Sequence, residues 1–492
     1  MEKSLAKNFM YRIILMFYKI VVPILVIPYV YRIFSPTSMG QIEFSNSITN
    51  YFVIFAGFGV YTYGLREISR VQDEEENKKK MFTELFTISV ISVLVVLSIY
   101  LGFVFFKFPS GLLKNFLWIN SITIFSFIFY IDWINESFED YRFITKKNII
   151  IKTISIGFIF LIVKNPEDIY NYFIILVLTN LINNLWSFIY IKKYIKFNFK
   201  NLEFKKYLLP LGMMLIISNV NILYTQLDKV SLGFYSNVKE TAYYGIGQKI
   251  LNIIQMFIMS IIAVSIPRLS YYLGKNKEAY LKLLNKIISY MSFLMFPMSV
   301  GIVLLSREIT IFFGGLNYAI AYITVAVFGI RLIFVGIESI LSSQVMFLNG
   351  KEKQMIMIIG FAGVINFIMK VMLVNNIFGL EFTSYSAIFT TMLAEIIIIG
   401  LNLIYIKRNL DYKIELFTFG NLKYGFISLL FIPVVLLVKS FELYYIYNIV
   451  MIPIFCGIVY LIILILLKDK NLIEILNKVL PNKIKSKIKF MN

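Results

Sequence analysis

Histidine is absent from all 492 residues, and cysteine occurs once, as Cys456. Without His there is no His-ligated metal site, no His-bound haem, and no Ser-His or Cys-His catalytic pair. One Cys excludes an internal disulfide, and its apolar surroundings mark it as a small buried residue. Charge is scarce, at 15% of residues, where soluble domains carry about 25%. No Gly-rich phosphate loop followed by Lys-Ser/Thr is present, so no ATPase is encoded here. No filter-like repeat suggests a channel, and Gly314-Gly315 reads as a loop feature. These absences leave no catalytic residue, metal or cofactor to assign, and the chain is read as a non-enzyme.

What is present is apolar: 59% hydrophobic residues and a mean hydropathy of +0.77. Over this length that indicates an all-α integral membrane protein. A span needs about 20 apolar residues. About fourteen candidates follow, roughly 9–33, 42–63, 84–106, 113–134, 148–163, 169–191, 208–233, 241–266, 287–305, 318–347, 355–374, 383–405, 423–439 and 445–467. The first run is too long for a signal peptide and is read as a retained span.

Charge tests that count. With the N-terminus inside and the spans alternating, most Lys and Arg fall in cytoplasmic segments, as in Lys78-Lys79-Lys80 and Lys407-Arg408. The outside loops hold only Arg32, Lys107, Lys114, Lys164, Lys239, Arg307 and Lys439. Both termini are then cytoplasmic. The net charge of +20 is a membrane-face charge that meets anionic lipid, not a nucleic-acid site. After the last span, Leu472, Ile473, Leu476, Val479 and Leu480 recur at helical spacing among lysines. This basic amphipathic tail, 468–492, is expected on the inner membrane surface.

A weak internal repeat relates RIFSPTSMGQIEFSNSI, from Arg32, to LGFYSNVKETAYYGIGQKI, from Leu232. The offset is about 200 residues, or six spans, and an even number keeps both copies in one orientation. The expected organisation is therefore an N-terminal six-helix lobe at 1–200, a second at 201–415, two added helices at 416–467, and the tail. Pro23 and Pro28 should kink the first span.

Ionisable residues inside spans are costly and mark function or inter-helix pairing. In the seventh span, Ser218, Asn221, Thr225 and Asp228 form one polar stripe. Asp228 is expected to pair with Lys249 across the following turn. Lys19, Arg331, Glu338 and Glu395 sit near mid-span, and Arg331, Glu338 and Ser342 share a helix face. Asp132, Lys152 and Lys370 lie close enough to span ends to snorkel. Two readings remain for the mid-span charges. They form ion pairs that set packing, or they line a cavity in which basic groups hold an anionic head and Asp228, Glu338 and Glu395 take up a coupling cation or proton.

Several stretches, NYFVIFAGFGVYTYGLREISR, TQLDKVSLGFYSN, ETAYYGIGQKI and SIPRLSYYL, together with the span order, resemble the Wzx-type polysaccharide flippases of the MOP superfamily. The first turn departs from the family pattern at Ser35-Pro36 and Gln41. The resemblance implies a MATE-like V of two six-helix lobes with two extra C-terminal helices. It also implies alternating-access export of undecaprenyl-diphosphate-linked oligosaccharide across the bacterial cytoplasmic membrane. The implied partners are that substrate, membrane lipids and the polysaccharide polymerase machinery, without nucleic acid. Lys19, Lys249 and Arg331 would then hold the diphosphate, and Arg66, Arg70 and Arg268 would receive it at the cytoplasmic face. Tyr18, Tyr224 and Tyr243 could stack on sugars. A peptidoglycan-precursor flippase of the same superfamily and a membrane-embedded glycan polymerase or ligase are the alternatives.

Overall fold

Long apolar runs without strand-like alternation fold as helices, because a helix satisfies every backbone donor and acceptor within one segment. The computed structural model describes residues 5–479, apart from Gln72, Phe378 and Leu443; the side chains of 5–9, Arg12, 216–225, Lys478 and Val479 lie outside that description. All regular structure among the described residues is helical, and the chain divides into two compact units. Unit 1 comprises residues 1–245 and 382–384; unit 2 holds 246–381 and 385–492.

Unit 1 begins with α1 (Leu5–Ile33), which continues as helix through Pro23 and Pro28. Next come α2 (Pro36–Gly57), α3 (Val60–Arg70), α4 (Glu75–Lys107), α5 (Leu112–Ser126), α6 (Asp132–Ser137), α7 (Tyr141–Ile162), α8 (Ile169–Ile191) and α9 (Lys205–Tyr235). Ser35 caps α2 by accepting from the Ser38 amide, with Pro36 at the first helical position, where its missing donor costs nothing. The expected second span, 42–63, is not one helix. It breaks at Phe58 and Gly59, which have φ of 41° and 71°. A Cβ on Gly59 would lie 2.4 Å from the Leu211 carbonyl oxygen, so only glycine admits this approach of α9. Helix α2 packs against α4, α5 and α9. The 192–204 connection is fastened to α4: buried Glu84 accepts from the Glu203 amide at 2.7 Å and from the Tyr207 hydroxyl at 2.6 Å. Lys206, hydrogen-bonded to Glu203, holds the Glu203 carboxyl below its usual range.

Helix α10 (Val238–Leu273) crosses from unit 1 into unit 2 at Gly245–Ile246. Unit 2 continues with α11 (Lys277–Leu304), α12 (Ser306–Gly314), α13 (Tyr322–Ile340), α14 (Glu352–Val374), α15 (Ser384–Asn409), α16 (Phe419–Leu429), α17 (Phe431–Lys439), α18 (Tyr445–Leu466) and α19 (Lys470–Val479). Helix α13 runs on into a π-helical turn at Leu341–Met346. The expected span 423–439 is two short helices, α16 and α17.

Part of the tail stripe packs on the protein itself. Leu472 is buried in a core with Tyr424, Ile452 and Leu464, and Leu476 packs against it. Asp469 caps α19 at the Leu472 amide, accepts from the Tyr424 hydroxyl at 2.9 Å, and pairs with Lys423. Leu480, Lys483, Lys485, Lys487 and Lys489 lie outside the described residues.

Eleven helices among the described residues are long and apolar enough to cross a membrane. Every expected span coincides with a helix or a broken helix, but α2, α7 and α9 are not among the eleven. Two of these carry many polar groups, Glu43, Ser45 and Asn46 on α2 and Arg142, Lys146, Lys147 and Lys152 on α7, while α9 contains 216–225, whose side chains lie outside the description and so outside the count. The count of fourteen is thus supported at eleven places. The protein is a multi-pass membrane protein.

Candidate functional site

In unit 2 the mid-span charges meet. Arg331 on α13 and Glu395 on α15 are each 5% exposed. Arg331 donates from Nη2 at 2.6 Å and from Nε at 3.0 Å, both to Glu395 Oε1. A guanidinium suits this position because its planar fork presents several donors in fixed geometry. Phe328, one turn earlier, lies 5.8 Å from Arg331 Cζ. Two turns further along α13, half-buried Glu338 accepts from the Ser342 hydroxyl at 2.6 Å. Ser342 lies in the π-helical turn: the Phe347 amide donates to the Ser342 carbonyl at 2.9 Å, across five residues. Such turns interrupt regular helix and cluster at functional positions. Arg331 and Glu395, assigned separate roles from the sequence, are therefore partners.

Unit 1 has a second buried pair. Lys229 Nζ donates to Glu43 Oε2 at 2.8 Å, joining α9 to α2. Tyr31 of α1 donates to the other Glu43 oxygen at 3.3 Å. Adjacent Asp228, fully buried, accepts from the Tyr244 hydroxyl at 2.6 Å. The helices approach closely here. A Cβ on Gly245 would lie 2.9 Å from Glu43 Cδ, and one on Gly233 would lie 2.1 Å from the Phe44 ring. Small residues permit such crossings in membranes, where packing and hydrogen bonds replace the hydrophobic drive.

Sequence reasoning missed Glu43 because it falls at the edge of the expected span 42–63. The available signal was Ser35-Pro36, a cap followed by Pro at the first helical position, which starts the helix early enough to bury Glu43.

Lys19 lies exposed on α1, close enough to half-buried Lys152 of α7 for the two to repel. Neither forms an ion pair with a described acid, and both helices belong to unit 1. Tyr18 bonds Thr153 at 2.8 Å, which ties it to α7. Lys152 thus joins Lys19 instead of standing alone near a span end. Asp132 also departs from the snorkelling expectation: Lys147 donates to it at 2.9 Å, and Ser187 bonds both. Lys370, 1% exposed, is buried with Asn366 and Thr391.

Arg66 and Arg70 are exposed and share Glu67, at 2.7 and 3.1 Å. Arg268 is exposed at the end of α10, 5.8 Å above the Tyr272 ring. Lys249 is half-buried in unit 2, whereas Asp228 belongs to unit 1, and their pairing stands as a proposal. The side chains of Ser218, Asn221, Tyr224 and Thr225 lie outside the described residues.

Among curated proteins, none matches this sequence. Among the solved structures that share the fold are these two. One is the lipid II flippase MurJ in an inward closed conformation, with a TM-score of 0.73 and 18% identity over 92% of this chain and 97% of that one. The other is an inward-facing multidrug resistance MATE family transporter of the MOP superfamily, with a TM-score of 0.53 and 14% identity over 80% and 94% of the two chains. The family model described as Polysaccharide biosynthesis protein matches residues 5–273, more than half of the sequence, and the chain belongs to that family.

Proposed function

We propose that this protein carries an undecaprenyl-diphosphate-linked oligosaccharide repeat unit across the bacterial cytoplasmic membrane for surface polysaccharide synthesis. In this reading lobes 1–200 and 201–415 alternate access, and both termini are cytoplasmic. The observation that carries the proposal is membership of a polysaccharide biosynthesis family on a fold shared with a lipid II flippase.

The residues support a division of labour. Lys19 and Lys152 offer adjacent positive charge to a diphosphate, with Lys249 as a further cation. Arg331 is held by Glu395, and a phosphorylated head would compete with that carboxylate for the guanidinium. Glu338, beside the π-helical turn, and Asp228 supply carboxylates for a coupling cation or proton. Exposed Arg66, Arg70 and Arg268 suit capture of an anionic head at the cytoplasmic face. A membrane-embedded polymerase or ligase is less well supported: the longest connection between helices among the described residues is 192–204, which offers little platform for an external glycan. The polymerase machinery is then a partner that receives the exported repeat unit.

Depletion of the protein should trap lipid-linked oligosaccharide on the inner leaflet, sheltered from glycosidase added outside. Arg331→Ala should insert normally and fail to release it. Unchanged access of the glycosidase to the oligosaccharide after depletion would sink the proposal. The MurJ-like fold favours one second reading, export of a peptidoglycan precursor. It predicts that lipid II is the species trapped.

A further inference from the structure

An apolar groove of about 450 Å³ runs between α7 and α8, within unit 1. Its floor is polar at one point, where Thr179 donates to Ser155 at 2.8 Å. Its walls include Ile154, Phe158, Leu178, Ile182 and Trp186, all exposed. On α8 the lining extends from Asn171 to Trp186. At 1.5 Å per residue that is about 22 Å, while one leaflet of a hydrocarbon core about 30 Å thick is about 15 Å deep. A single acyl chain confined to its own leaflet therefore fills only part of the groove.

The two ends of the groove differ in charge. One end carries Arg142 and Lys146 on α7 with Lys192 and Lys193 after α8, against Glu139 and Asp140. Asp140 is occupied in capping α7 and accepting from the Tyr190 hydroxyl. The other end has Lys164 against Glu167 and Asp168. Lys146, Ile150, Ile154 and Phe158 recur every four residues and are all exposed, so one face of α7 leads from the basic end into the groove.

We infer that this groove binds the chain of a long polyprenyl phosphate, with the phosphate at the Arg142–Lys146 end and the isoprenoid along α7 and α8. The inference rests on the proposed lipid-linked substrate and assigns its tail to a surface separate from the buried ion pairs.

The test uses full-length protein in nanodiscs and a diazirine-bearing C55 polyprenyl phosphate, with labelled peptides mapped after photolysis. Labelling is expected on α7 and α8. Leu178→Trp, an exposed position that tolerates bulk, should lower it about tenfold, a loss of roughly 1.4 kcal/mol in binding. Lys146→Glu combined with Lys193→Glu should lower it further. A C15 prenyl phosphate and phosphatidylglycerol should compete weakly. Equal labelling by a diazirine-bearing phosphatidylglycerol, or labelling unchanged in Leu178→Trp, would overturn the inference. The two proposals fail separately. Trapped oligosaccharide without groove labelling removes only the groove, and groove labelling without trapped oligosaccharide removes only the transport reading.

Discussion

The two buried ion pairs solve one electrostatic problem in different surroundings. In unit 1, Glu43 and Lys229 are enclosed by a tyrosine hydroxyl and by close glycine crossings, and the neighbouring carboxylate, Asp228, has its own hydroxyl donor. In unit 2, Arg331 places two donors on one oxygen of Glu395, and a further carboxylate, Glu338, stands beside a π-helical turn. The Glu43–Lys229 pair of the first cluster reads as a packing lock. The second joins redundant charge to irregular backbone, the ingredients of an element with more than one arrangement. A buried pair is weak support for stability by itself, since well-packed apolar residues often do as well. Function separates the two cases.

That contrast is sharpened first by breaking each pair. Arg331→Ala and Glu43→Ala should each destabilise by about 3–5 kcal/mol, because each strands a buried charge; thermal unfolding in detergent measures the loss. The double variants then divide. Glu43→Met with Lys229→Met should regain both stability and transport, whereas Arg331→Met with Glu395→Met should regain stability alone. Transport by the unit 2 double variant would erase the distinction.

Next in size is Tyr244→Phe, which removes a donor from buried Asp228 and should cost about 1.5–3 kcal/mol. The glycine crossings follow. Gly233→Ala meets the Phe44 ring, itself packed between Phe108 and Phe234, and should cost about 1–3 kcal/mol. Gly336→Ala in unit 2 meets the end of Met295, a side chain that adapts, and should cost less. An equal or reversed order would show that the unit 1 crossings are no tighter. The smallest effect is expected for Ser342→Ala, about 0.5–1.5 kcal/mol from one lost hydrogen bond.

Much of the site was legible as charge in the wrong solvent. Arg331, Glu395 and Asp228 stood out because each interrupts an apolar run. Their partners did not, since Arg331 and Glu395 are 64 residues apart and Glu43 and Lys229 are 186 apart. Lys370 and Asp132 lie near span ends, yet Thr391 of α15, with Asn366 one turn away, holds the first inside, and Lys147 of α7 holds the second. The tail is amphipathic in sequence, but amphipathicity does not say whether a membrane or a protein covers the apolar face. Asp469 and Tyr424 decided that for Leu472.

The sequence alone determined that the chain is helical, lies in a membrane, and carries ionised groups where lipid would reject them. Those properties follow from local hydropathy and length, which each segment possesses before it meets another. Tertiary structure decided which charges neutralise each other, where α2 breaks, and which side of α19 is covered. Such outcomes depend on distances between helices distant in sequence, and on whether a glycine lets two backbones come close enough for a hydrogen bond to form.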